Sequence, residues 1–208
     1  MAKFYAVRVG RTPGVYTTWA ACTEQVKGFS GAVYKSFTTK QEAEAFVAGA
    51  KPQEEMTNAS IEALVNELDD STMIAFVDGS YAKEHRYYGY GAILLTNAGM
   101  QERHDSGNDE RYVESRNVAG EIEGVKAAIT VAVEQGYQHV HIFYDYAGIE
   151  KWAVGDWRAN KPVSQHYVQF INEVSPKIRI TFTKVAAHTG ILYNELADEL
   201  AKRAIAER

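Results

Sequence analysis

Cysteine is almost absent from this sequence: Cys22 is the only one among 208 residues. One thiol cannot form an internal disulfide, so stability must come from a packed core, and a reducing, cytoplasmic compartment is expected. Cys22 itself reads as a small buried side chain rather than a nucleophile. Long apolar runs are missing too. No stretch approaches the roughly 20 residues needed to cross a bilayer, and the first residues lack the apolar segment of a secretory leader, so no membrane partner is expected. Positive charge is also scarce: 22 Lys+Arg stand against 27 Asp+Glu, a net of −5. That balance does not suit a protein that holds phosphates by charge alone. Repeats and low-complexity tracts are absent.

What is present is ordinary in amount and uneven in placement. Hydrophobic residues make up 46% and charged residues 24%, as in a soluble globular protein. Residues 1–50 carry six Lys/Arg against three Asp/Glu, a charge of +3. Residues 51–72 carry one against six, a charge of −5, and the remainder is at −3. A basic segment therefore precedes an acidic stretch and an acidic main body. The length fits a small domain plus a medium one. Residues 1–48 read as the first, 49–72 as an acidic linker, and 73–208 as the second.

The first fifty residues read as ββαβα. FYAVRVG is a strand, Pro13-Gly14 a turn, and residues 15–18 a return strand. Residues 19–26 have weak helical spacing and residues 32–37 form a third strand. Thr39 and Glu42 have capping-box spacing at the start of a short helix. Within the linker, Ile61, Leu64, Val65 and Leu68 could line one face of a helix, although the acidic run suggests a solvated segment. From residue 73 the pattern changes. MIAFVD is a buried central strand, and residues 88–96 and 101–106 form two more strands around a turn at 97–99. A long helix over 118–135 has apolar residues at Val118, Ile122, Val125, Ile129 and Val133. Then come a strand at 139–144, helices at 148–154 and 163–173, a strand at 177–185 and a terminal helix at 194–205. The order βββαβααβα predicts a mixed α/β fold, with a five-stranded sheet flanked by helices.

Four acids stand where mere solvation suits them poorly. Asp78 and Asp145 end apolar strands. Glu121 lies near the start of the long helix, and Asp198 sits among Leu196, Ala197, Leu200 and Ala201. At about 100° per residue, Glu121 falls at the edge of the apolar stripe whereas Glu123 points to solvent. Any one of these acids alone reads as a strand-end cap or a solvated charge. Together they repel one another unless a hard divalent cation relieves them. Two such ions about 3.5–4 Å apart can activate a water and stabilise a leaving phosphodiester oxygen.

FVDGS at 76–80, RNVAGEIEGV at 116–125, FYDYAGIEKW at 143–152 and AHTGILYNELADELAK at 187–202 resemble, in order, the four active-site motifs of type 1 ribonuclease H. The resemblance spans essentially all of 73–208. It implies the ribonuclease H-like fold and metal-dependent endonucleolytic cleavage of the RNA strand in RNA–DNA hybrids, leaving 5′-phosphate ends. It implies two Mg²⁺ ions, with Mn²⁺ as the alternative. Asp78 would bridge both, Asp198 would complete the site on the side of the attacking water, and Glu121 and Asp145 would hold the second. His188, ten residues before Asp198, matches a loop histidine that assists proton movement or product departure. Asn194 and Glu195 would support the site or simply open the last helix. Asn117 matches a residue that touches substrate. Arg116 departs from the small hydroxyl residue that holds a DNA phosphate in some relatives, with Ser115 or Arg116 itself as the substitute. The basic handle of the family shrinks to Arg158 and Lys161, beside Trp157.

FYAVRVGRTPGVYTTW and GAVYKSF, within residues 3–47, are similar to the small hybrid-binding domain that precedes many ribonucleases H and is related to a plant-virus inclusion-body protein. By that resemblance Trp19 and Tyr34 would stack on the DNA strand's sugars, while Tyr5 and Lys35 would contact its backbone. Ser36 stands where relatives often have a second lysine. From the residues alone, Trp19 and Tyr5 read first as core residues of a very small domain, although an aromatic, basic surface also suits nucleic acid. The expected partner is an RNA–DNA hybrid, bound by a monomer. The competing readings are a non-catalytic hybrid-binding protein, or another nuclease of the same fold such as a junction resolvase. The four carboxylates disfavour the first; the N-terminal resemblance and the spacing of His188 disfavour the second.

Overall fold

The largely apolar run FYAVRV forms β1 (Phe4–Val9), the centre of a small antiparallel sheet, flanked by β2 (Gly14–Tyr16) and β3 (Val33–Phe37). Val7 on one face packs with Cys22 and Val26 of α1 (Trp19–Val26), and Tyr5 lies against the same cluster. α2 (Lys40–Val47) packs on β1 as well, and its Ala43 is buried. Thr39 and Glu42 form the capping box that their spacing predicts. Burial raises the Cys22 thiol pKa, which makes it unreactive. The ββαβα order matches the sequence expectation. The computed structural model describes residues 3–48, 56–186 and 190–208. The chain divides into two units, Met1–Glu55 and Met56–Arg208.

That division corrects the expected linker over 49–72. Its second half is the helix α3 (Asn58–Asn66), capped by Thr57 and Ser60 and belonging to the second unit. The apolar spacing outweighs the acidic composition. Ile61 is fully buried, with Met56, Val65 and Leu68 packed around the same cluster, while Glu62 and Glu67 face solvent. Leu64 lies off this stripe and is exposed.

The second unit is built on one five-stranded sheet. β4 (Thr72–Ala82), β5 (Tyr87–Thr96) and β6 (Gly99–Gly107) form an antiparallel meander. β7 (His139–Tyr144) and β8 (Arg179–Lys184) add in parallel on the other side of β4, giving the order β6-β5-β4-β7-β8. The short α4 (Glu110–Val113) was not foreseen. It leads into α5 (Asn117–Glu134); α6 (Gly148–Ala153) and α7 (Pro162–Val174) join β7 to β8, and α8 (Leu192–Ala206) follows. Side chains alternate across the strands. Met73, Ala75 and Val77 of β4 face the α5 and α7 core, with Ile122, Val125, Ile129 and Tyr167. Ile74 and Phe76 face the opposite core, with Leu200 of α8 and Ile61 of α3. Among the described residues no helix is long and apolar enough to cross a membrane.

Candidate active site

The strand β4 carries Asp78 two residues beyond Phe76, continuing the row that faces α8. Asp145 follows the last residue of β7, the parallel neighbour of β4. α5 begins where β4 passes Gly79. A Cβ on Gly79 would lie 2.3 Å from both the Asn117 carbonyl oxygen and the Glu121 nitrogen, so only glycine admits the helix this close. On the other face, a Cβ on Gly91 would lie 2.1 Å from the Ala197 carbonyl oxygen of α8, next to Asp198. Two close helix–sheet approaches thus bring Glu121 and Asp198 towards Asp78, within β4.

Ligand atoms of Asp78, Glu121 and Asp145 all lie within 4.8 Å of one another. Glu121 is 1% exposed and its Oε2 has no hydrogen-bond partner. Glu123, which the helix phase sends outward, pairs with Lys126 at 2.8 Å instead. Burial, followed by the charge of Asp145, pushes the Asp78 carboxyl up to about 7, against a 2.6 Å hydrogen bond that its Oδ1 accepts from the Gly79 N–H. Burial, followed by the charges of Asp78 and Asp145, holds Glu121 well above the usual carboxylate range. Asp198 stands beside this trio, close enough for its charge to raise Asp78. Its Oδ2 accepts a 2.5 Å hydrogen bond from Lys202, one turn later in α8.

Three buried or half-buried acids with an orphaned oxygen form an arrangement that costs free energy as it stands. Their all-oxygen donor set suits a hard divalent cation, and a cation would satisfy Glu121 Oε2 and offset the repulsion together. The residues present therefore fit the expected metal. His188 lies outside the described residues. Asn194 is buried in the first turn of α8, with its Oδ1 lacking a partner. Glu195 is exposed in the same turn.

Asn117 is exposed as the first residue of α5. Arg116 before it is exposed with φ at 52°, a backbone region rare for a residue with a side chain. Ser115 is buried beside a cleft that Trp152, Arg158 and Lys161 also line. Trp157 is 45% exposed and meets Trp152 edge-on, so it is a surface ring and not a core one. In the first unit, Trp19 lies 5.5 Å from Tyr5 and 6.0 Å from Tyr34, ring centre to ring centre. Trp19 and Tyr34 are about half exposed and form a surface, while Tyr5 at the base of the row lies against the buried cluster of the unit. Lys35 is not part of that row. It pairs with Ala6, whereas Tyr34 pairs with Val7, so the two alternate to opposite faces. Its Nζ lies 5.6 Å from the centre of the Phe37 ring.

Sequence reasoning missed Lys202 and the spacer glycines. The i,i+4 step from Asp198 to Lys202 was a usable signal for the first. Nothing local distinguishes Gly79 or Gly91 from a flexible strand glycine.

Comparison with known proteins places these features. The family described as "RNase H" matches residues 70–206, and the "Ribonuclease H1 N-terminal domain" matches residues 3–47. Ribonuclease H1 of Rattus norvegicus is 25% identical over 264 aligned positions, covering 97% of this chain and 89% of the relative. A ribonuclease H of Crithidia fasciculata is 66% identical over 45 residues, which is 22% of this chain but only 9% of that protein. The crystal structure of RNase H1 from the archaeon Halobacterium salinarum NRC-1 superposes with a TM-score of 0.55 at 22% identity, covering 66% of this chain and 99% of the other. That likeness is one of fold.

Proposed function

The chain belongs to the ribonuclease H family, and from that premise we propose that it hydrolyses the RNA strand of RNA–DNA hybrids endonucleolytically, leaving 5′-phosphate and 3′-hydroxyl ends. The observation that carries this reading is the convergence of Asp78, Glu121 and Asp145 within 4.8 Å, with a buried Glu121 oxygen lacking a partner. A mere scaffold would gain nothing from such a cluster. Asp78, Glu121, Asp145 and Asp198 would together hold two Mg²⁺ ions, with Mn²⁺ as a substitute. Bound there, such ions supply Lewis acidity that activates water and offsets charge on the leaving oxygen.

The chain's own groups take the remaining tasks. Asp78 and Glu121 are held protonatable by burial, so the empty-handed protein avoids stacking four negative charges. Lys202 neutralises Asp198 and keeps its carboxylate beside the cluster. His188, titrating near neutrality when unperturbed, would carry a proton to or from the reacting oxygens or ease the product's departure. Asn117, exposed at the start of α5, would contact the hybrid next to the carboxylates. The row of Tyr5, Trp19 and Tyr34 would stack on the nucleic acid, with Lys35 adding charge from the other side of its sheet. A single buried thiol suits a reducing compartment such as the cytoplasm.

The test is direct. The protein is incubated with end-labelled RNA–DNA hybrid and Mg²⁺ or Mn²⁺, beside single-stranded RNA and duplex DNA. Cleavage is expected in the RNA strand of the hybrid alone. Intact hybrid after incubation with folded, metal-loaded protein would overturn the reading.

A further inference from the structure

Of the four carboxylates, Asp145 alone lies outside any strand or helix. Asp78 is held within β4, Glu121 within α5 and Asp198 within α8. Residues 145–147 belong to neither β7 nor α6, so regular structure does not by itself fix the turn that carries this acid. Yet a ligand atom of Asp145 must come within 4.8 Å of Asp78 and Glu121 for the three to share a cation. Its placement depends on what pins the turn.

Asp145 stands between two tyrosines, and both are tied to α6. Tyr144, the last residue of β7, is 1% exposed in the core shared with α5 and α7. Its hydroxyl donates a 2.5 Å hydrogen bond across the turn to Glu150 Oε2. Tyr167 of α7 adds a second tie, donating to the Ile149 carbonyl oxygen at 3.1 Å. On the other side of Asp145, the Tyr146 ring folds back on α6, 5.7 Å from the Trp152 ring. A Cβ on Gly148 would lie 2.3 Å from that Tyr146 ring, so glycine is what lets it fold back.

Packing alone does not call for the Tyr144–Glu150 bond. A phenylalanine would fill the same core volume with no polar group to satisfy. A buried hydroxyl needs a partner, and here the partner is a half-buried carboxylate, which loses part of its own hydration. A hydrogen bond to an ionised acceptor at this length is short and strong. It fixes the end of β7 against the first turn of α6, and Asp145 lies inside that span.

We propose that Tyr144 and Glu150 form a positioning pair for Asp145: their hydrogen bond closes the turn at 145–147 and sets the Asp145 carboxylate at its distance from Asp78 and Glu121. The inference rests on the metal-dependent ribonuclease reading above. Neither residue of the pair touches metal or substrate in this scheme.

The test uses the full chain. Mn²⁺ binding is measured without substrate, from the EPR signal of the free ion, beside hybrid cleavage and urea midpoints. Tyr144→Phe removes one oxygen and keeps the ring. It weakens Mn²⁺ binding by roughly tenfold, the lower end of the range for losing a group that orients a metal ligand. KM for the hybrid at saturating metal stays within about twofold, because the hybrid-contacting groups are untouched. Glu150→Ala weakens Mn²⁺ binding as Tyr144→Phe does, while Glu150→Gln keeps an oxygen to accept the bond and restores it. In the Asp145→Asn background, Tyr144→Phe weakens binding no further. Unchanged Mn²⁺ binding in Tyr144→Phe overturns the proposal, even where the urea midpoint drops, since that is the mark of a merely structural bond. So does a Glu150→Gln loss equal to that of Glu150→Ala, which makes the effect one of charge, or an equal Tyr144→Phe loss with and without the Asp145 carboxylate. Mn²⁺ binding that ignores Asp145→Asn is a different result and sinks the metal assignment of the ribonuclease reading.

Discussion

Asp78 is a carboxyl whose pKa has been carried to about 7, by burial first and by Asp145 second. Its ordinary value is 3.8, so between these two pH values the folded state holds a proton that the unfolded chain has released. That contribution to stability is complete below about pH 4 and is lost as pH rises through 7 in the metal-free protein. Glu121 is shifted in the same direction and adds to the trend. Divalent ions bind the deprotonated groups, so their stabilising effect runs the other way. Melting scans in chelator and in Mg²⁺ should show the metal-induced gain growing from pH 5.5 to pH 8, and a gain that ignores pH would refute the assignment. Asp145→Asn removes charge without changing shape. It should reduce turnover by roughly 10²–10³-fold, the range for losing one electrostatic element of an active centre. Hybrid affinity, read by fluorescence anisotropy, should stay within about twofold.

At the scale of elements, the site depends on how closely helices approach strands. Gly79→Ala would drive a methyl into the Asn117 carbonyl and the Glu121 nitrogen. The expected loss is about 2–3 kcal/mol by urea denaturation, in the range for overpacking, with kcat falling as α5 retreats from Asp78. Most elements were legible because their signals are local. The 3.6-residue period of α5 separated Glu121 from Glu123, and the apolar run before Asp78 gave a central strand. The extension of β4 to Ala82 was not visible, because DGSYA lacks apolar alternation and is held as strand by its pairing with β5. The same holds for α3. Its acids suggested a solvated linker, and only the cluster around Ile61 shows which face won. Lys35 fell outside the aromatic row because it follows Tyr34 directly in β3 and successive strand residues face opposite ways, a period-2 signal that was present in the sequence. Both the carboxylates and the exposed aromatics could be picked out by resemblance; the packing that holds them could not.

For the whole molecule, the two units divide the work between holding and cutting. Trp19→Ala should raise KM for the hybrid about tenfold and leave kcat at saturation unchanged, since one stacked base contributes roughly 1–3 kcal/mol. A steady-state comparison decides it, and a fall in kcat instead would place Trp19 in a structural role. The boundary at Met56 has a consequence as well. A chain beginning at residue 56 should be more stable than one beginning at residue 73 by about 2–3 kcal/mol, the value of burying one large aliphatic side chain. Urea midpoints would measure the difference, and equal midpoints would remove α3 from the core. The four carboxylates are strung over 120 positions of chain, and Asp198 rides on α8. Contacts that close such long loops form late in folding. A chain cut short after α6 carries three of the acids without α8 to bring the fourth beside them. The carboxylate set is therefore assembled only when α8 docks on the sheet, so cleavage competence should follow α8 docking and not the earlier formation of the β4–β6 meander.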